Sequence, residues 1–280
     1  LGFVAANQAA LLVIRNLAEP GSSDATAYFT AFTFFVLPHG LLAVSISTTF
    51  QPEMARSVVR KDRPGFVGQA SLGVRMIALL TLPASFGIFV LRRPIIGALL
   101  EYRNFSAEAA ENTTRALGGF ALGLVGFSVY LFTLRGFYAH QDTRTPFVVN
   151  VVQNALNIVL AIVLVGRHGV LGLGLAYAIS YLVGSLWVLQ ILSYKVPGFS
   201  PRAIGGSVWR MLLAAVLMAE AVWVVTRAVG ADTGGAAFSR LLVGIVTGIV
   251  VYGAVLMLLR APELDRLRRV RPPRGVPASR

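Results

Sequence analysis

Apolar runs of about twenty residues follow one another from end to end of this chain, and that recurrence restricts its fold more than any other feature. About twenty apolar residues are what an α-helix needs to cross the hydrocarbon core of a bilayer. Within lipid, a spanning segment must also satisfy its own backbone N–H and C=O groups. Eight candidate spans follow, at about 1–18, 26–51, 74–100, 114–138, 146–165, 170–193, 208–229 and 237–260. The runs lack two-residue alternation and are twice as long as barrel strands, so a β-barrel is excluded. The expected fold is all-α, a polytopic transmembrane helical bundle over residues 1–263 with a basic tail at 264–280. Pro38 and Pro83 lie near the middles of the second and third spans, where kinks are expected. Small residues recur at four-residue spacing, at Gly119 and Gly123, at Ala176, Ser180 and Gly184, and at Gly244 and Gly248. Such spacing lets helix backbones approach closely.

Of the 280 residues, 56% are hydrophobic and only 13% charged, about half the charge usual in a soluble domain. A net charge of +13 first suggests nucleic acid, but that partner needs basic residues clustered on a soluble face. Here they fall mostly in the gaps between apolar runs, as topology signals do. No nucleic-acid partner is therefore expected. One set of alternate connections holds Arg56, Arg60, Lys61, Arg63, Arg75, Arg135, Arg144, Lys195, Arg202 and Arg210, and the tail adds arginines from Arg260 to Arg280. The other set holds the acidic stretch EYRNFSAEAAENTT (101–114). Both ends of the chain are thus expected in the cytoplasm. Leu1 lies inside an apolar run with no charged segment or cleavage site before it, so the chain reads as a piece of something longer rather than as a signal peptide. The tail is expected along anionic membrane lipids, with a cytoplasmic protein partner as the alternative.

The sequence carries no HExxH, GxSxG, P-loop or GxGxxG, no cysteine, and three histidines far apart, so it is not read as an enzyme or a metalloprotein. Ionisable groups inside spans are the better lead, because charge at bilayer depth is costly and usually faces a cavity. Arg15 in LLVIRNLAE either snorkels to the interface beside Glu19 or meets an anionic substrate. Glu220 in LMAEAVW has no evident partner in sequence; it is protonated in lipid, bonds across helices or lines a groove. Asn150, Asn154 and Asn157 share one face of the fifth span, flanked by Gln153. Interhelical hydrogen bonds, or a water-filled cavity or monovalent-cation site, are the two readings of that stripe. Between the fourth and fifth spans, QDTRTP turns the chain in a few residues: Asp142 suits a helix cap and Pro146 a first helical turn.

RGFYAHQDTRTPFVVNVVQNALNIVL (135–160) resembles the lipid II flippase family, MurJ or MviN, in which an arginine and a YA pair precede D-x-x-T-P and an Asn-bearing helix. AYFTAFTFFVLPHGLLAVSISTTFQPEMAR (27–56) is similar to another stretch of that family, where L-P-x-G precedes a small-residue helix ending in a proline and a basic loop. EYRNFSAEAA (101–110) matches a loop of the family weakly. The resemblance implies the C-terminal spans of a fourteen-span transporter in the multidrug, oligosaccharidyl-lipid and polysaccharide exporter superfamily. Such a protein sits in the bacterial plasma membrane and moves lipid II, an undecaprenyl-diphosphate-linked glycopeptide, to the outer leaflet by alternating access. It further implies cavity positions at Arg15, Thr33, Pro38 and His39, and a gate or brace at Arg135, Tyr138, Asp142, Arg144, Thr145 and Pro146. The asparagines would lie where some members bind sodium, and no other cofactor is implied beyond coupling to a cation or the membrane potential. The last two spans, with Glu220, would form a groove for the lipid tail. Partners implied are lipid II, membrane lipids, the N-terminal half of the same protein and cytoplasmic cell-wall regulators at the tail. One departure stands out: many members carry an arginine where this chain has Thr33. The competing expectations are an exporter of a drug or another lipid-linked glycan, and a transport-dead scaffold for cell-wall enzymes.

Overall fold

A computed structural model describes residues 2–18, 23–100, 106–232 and 234–259. Glu19, residues 101–105 and the basic tail at 264–280 lie outside them. The described residues form helices joined by short turns, with no strand among them: α1 (Gly2–Leu17), α2 (Ser23–Pro38), a π-helical turn (His39–Ala43), α3 (Val44–Val59), α4 (Arg63–Leu99), α5 (Ala107–Ala121), α6 (Leu124–Ala139), α7 (Arg144–His168), α8 (Val170–Lys195), α9 (Pro201–Arg227) and α10 (Gly234–Leu258). Six helical segments are long and apolar enough to cross a membrane, or seven when α5 and α6 count as one broken span. The fold class is thus an all-helical membrane bundle.

Neither proline divides its span. From Asp24 to Val59 the helical path is continuous, and α4 runs through Pro83 and Pro94. Directly after Pro38 the helix widens into the π turn His39–Ala43, where the Val44 N–H donates to the His39 carbonyl. Among the described residues, the break sharper than 40° falls instead between α5 and α6, which meet at 49°. The stretch read as one span at 114–138 is therefore two helices hinged at Leu122–Gly123. Glycine there lets α5–α6 lie against α8, since a Cβ on Gly123 would stand 2.6 Å from Ala178 Cα, and one on Gly119 2.8 Å from the Gly174 carbonyl carbon.

The turns after α3 and α6 share one design. Each places a non-glycine residue in the left-handed region (Lys61, φ 55°; Gln141, φ 58°) and follows it with an aspartate. Asp62 Oδ1 accepts from the Gly65 N–H at 2.9 Å and Asp142 Oδ1 from the Thr145 N–H at 3.0 Å, so each carboxylate satisfies a free donor of the next helix. Ser106 and Ser200 cap α5 and α9 in the same way.

Two apolar clusters hold the bundle. The larger gathers Phe35, Phe66, Phe120, Phe127, Phe132 and Tyr177 between α2, α4, α5, α6 and α8. The smaller joins α4 to α9 and α10 through Leu79, Leu82, Met211, Met218 and Tyr252. The last two helices are therefore fastened chiefly to α4, while α1 packs on α7.

Candidate functional site

The polar stripe of α7 faces inward. Asn150, Gln153, Asn154 and Asn157 are all less than a tenth exposed. Asn150 and Asn154 each donate through Nδ2 to Asn7 Oδ1 of α1, at 3.2 and 2.8 Å, and Asn154 Nδ2 also reaches Asn150 O. Gln153 Nε2 donates to Ser180 Oγ of α8 at 3.1 Å. Interhelical bonds thus account for three of the four side chains. Gln153 Oε1 and Asn157 Oδ1 are left buried without a hydrogen-bond partner. Asn7 and Ser180 are the partners sequence reasoning missed: Asn7 is one ordinary polar residue in an apolar run, and Ser180 reads in sequence only as one of the small residues spaced four apart along α8.

At the end of the bundle that carries the turns 60–62, 140–143 and 196–200, Asp142 is the hub of a small network. Its Oδ2 accepts from Thr145 Oγ1 at 2.7 Å and from Lys195 Nζ at 2.6 Å, and Lys195 Nζ also reaches Thr145 Oγ1 at 2.6 Å. Burial alone pushes this carboxyl up, but the bonds from Lys195 and Thr145 outweigh it and hold the pKa down at about 2. Lys195 closes the last turn of α8, so the ion pair ties the α6–α7 turn to a helix some fifty residues on. Arg135 Nη1 donates to Gln51 Oε1 of α3 at 2.8 Å, tying α6 to α3 at the same end. Pro146 is buried, whereas Tyr138 and Arg144 are exposed.

The expected cavity positions separate. Arg15 is exposed on the last turn of α1. Thr33 is exposed and its hydroxyl donates to Phe29 O of its own helix at 3.0 Å. Pro38 and His39 are half-buried at the π turn; His39 Nδ1 lies 2.9 Å from Ser128 Oγ of α6, with its ring against Phe127 at 4.6 Å. Glu220 is exposed among apolar side chains, about two turns before Arg227 and so about halfway between the middle of α9 and its end. The structure joins Asp142 and Thr145 to Lys195, and Asn150 and Asn154 to Asn7, and among the described residues no hydrogen bond or ion pair ties either group to Arg15, Thr33 or Glu220.

Residues 1–244 match the sequence profile described as lipid II flippase MurJ. The chain belongs to that family. It is 27% identical over 264 residues to the probable lipid II flippase MurJ of Rhizobium meliloti, covering 92% of this chain and 49% of the relative. It is 31% identical to the probable flippase of Haemophilus influenzae, covering 79% of this chain and 45% of that protein. Among solved structures, a lipid II flippase MurJ in an inward closed conformation aligns with TM-score 0.77 at 24% identity, over 95% of this chain and 53% of the other. An outward-facing multidrug resistance transporter of the MATE family aligns with TM-score 0.59 at 18% identity, over 95% and 64%. These likenesses establish a fold shared by MurJ and MATE transporters, and the chain spans about half the length of the MurJ relatives it matches.

Proposed function

We propose that this chain is one lobe of a lipid II flippase of the bacterial plasma membrane. The observation that carries the reading is the match of residues 1–244 to the flippase profile, on a bundle with the same helical architecture. Arg15 supplies a cationic contact for the diphosphate, consistent with its exposure on α1. The exposed apolar rows of α9 and α10, among them Leu213, Leu217, Ile245 and Ile249, carry the polyprenyl tail beside Glu220. The Asp142–Lys195 network braces the bundle end as the lobes rock. The buried oxygens Gln153 Oε1 and Asn157 Oδ1, still without donors, support a monovalent cation bound beside α7 as the coupling ion. Both ends of the chain lie in the cytoplasm, because Arg60, Lys61, Arg63, Arg144, Lys195 and Arg202 lie in or beside the turns at 60–62, 140–143 and 196–200. The arginines from Arg260 onward supply an anchor to anionic lipid, and a surface for cell-wall regulators.

The decisive experiment uses the full-length protein in cells depleted of their own flippase. Outer-leaflet exposure of the lipid-linked precursor is measured for the wild type and for Arg15→Ala. Restored exposure that the variant loses supports the flippase reading; a precursor trapped inside by the wild type removes it in favour of an exporter or scaffold. Sidedness is tested separately with Gln141→Cys in a full-length protein freed of any other cysteine; residues 1–280 contain none. Labelling by an impermeant maleimide from outside intact cells is incompatible with the proposed orientation.

A further inference from the structure

His39 sits close to the midpoint of the helical path from Asp24 to Val59, at the start of the π turn. Single π turns inside α-helices occur frequently at functional sites. Its hydrogen bonding fixes which ring nitrogen carries the proton. Ser128 is 1% exposed, and the His39 ring is the hydrogen-bond partner of its hydroxyl among the described residues. A buried hydroxyl hydrogen needs an acceptor, and His39 Nδ1, at 2.9 Å, is the one available. In the neutral ring Nδ1 therefore accepts and Nε2 carries the hydrogen.

That Nε2–H meets no acceptor among the described residues, and it is not sealed in the core. The ring is half-buried, and the space beside it is open: Gly40 is exposed, and a Cβ placed there meets nothing within 4 Å. Thr33, Leu37 and Leu41 are exposed on the same helical path. A donor at this depth turned to hydrocarbon is left unpaired, which is costly. Phe127 packs on the ring and Ser128 holds it from behind, so its direction is set before any ligand arrives.

We propose that His39, held in its Nε2–H tautomer by Ser128, donates a hydrogen bond to an oxygen of the substrate headgroup. It is a neutral contact that reads an acceptor rather than a charge. The assignment rests on the flippase reading above and adds to it a binding residue on the π turn, with Ser128 as its positioning residue.

The test compares two amides in the full-length protein reconstituted in nanodiscs. His39→Gln presents an N–H near the place of Nε2 and gives up the Ser128 contact, whereas His39→Asn keeps a group near Nδ1 and gives up the distal donor. The probes are undecaprenyl diphosphate and the complete undecaprenyl-diphosphate-linked glycopeptide. The expected result is about tenfold weaker binding for His39→Asn, and binding within about twofold of wild type for His39→Gln. A purely structural role predicts the reverse order, because the Gln variant loses the contact to α6; that order, or two variants equal to wild type, overturns the proposal. Loss with both probes assigns the contact to the diphosphate, and loss with the glycopeptide alone assigns it to the sugar or peptide. A wild type that binds neither probe removes the flippase reading and this assignment with it, whereas a wild type that binds with both variants unchanged removes this assignment alone.

Discussion

The Tyr252 hydroxyl of α10 donates to the carbonyl of Leu79 in α4 at 2.9 Å, and Leu79 is the residue four before Pro83. Proline has no N–H, so the Leu79 carbonyl loses its helical partner. A side chain from a helix more than 170 residues away takes that place. The same bond fastens α10 to α4 within the second apolar cluster.

Tyr252→Phe is expected to lower stability by about 1 kcal/mol, within the range of interhelical hydrogen bonds in membranes. Pro83→Ala restores an N–H for the Leu79 carbonyl, so the loss shrinks when both changes are combined. Thermal unfolding of the wild type, both single variants and the double variant in one detergent gives the coupling directly. Strictly additive effects disprove the link.

Gly123→Ala is expected to destabilise by about 1–3 kcal/mol, because its Cβ would stand 2.6 Å from the Ala178 backbone and push α6 from α8. Gly205→Ala serves as the contrast. A Cβ there meets nothing within 4 Å, so the change stabilises α9 by up to about 1 kcal/mol. Equal melting temperatures for the two variants contradict the close α6–α8 approach.

The Asp142 carboxyl, held at about 2, lies below its usual value near 3.8. A carboxylate depressed in the folded state stabilises the fold above its unfolded pKa. That contribution fades as pH falls from about 4 through about 2. Because the Lys195 side chain is half exposed, the pair is worth about 0.5–1 kcal/mol at neutral pH. Asp142→Asn should remove this contribution and flatten the acid limb of stability against pH, measured by unfolding from pH 6 to pH 2. An unchanged limb rules out the network as its source.

Asn7→Ala leaves the Nδ2 groups of Asn150 and Asn154 without the oxygen they share. Loss of about 1 kcal/mol is expected, concentrated in the packing of α1 on α7. Hydrogen exchange resolved along the chain checks it: protection should fall first in α1 and leave α9 and α10 as they were.

The sequence by itself determined that the chain is a helical membrane bundle, because hydrocarbon allows only helices or closed barrels, and these runs are too long and too little alternating for barrel strands. It also determined the turn after α6, since the Asp142 cap acts on a residue three positions on, and the inward face of Asn150, Asn154 and Asn157, since one helix sets their spacing. The tertiary structure alone decided what those groups meet. Lys195, Asn7, Ser128 and Tyr252 are ordinary residues in their own segments, and each gains its role from a helix 53, 143, 89 or 173 positions away. The sharp bend at Gly123 was hidden for the same reason. Proline announces a missing hydrogen bond in sequence, whereas the spacing of Gly119 and Gly123 announced a close helix approach but not the break between α5 and α6 that accompanies it against α8.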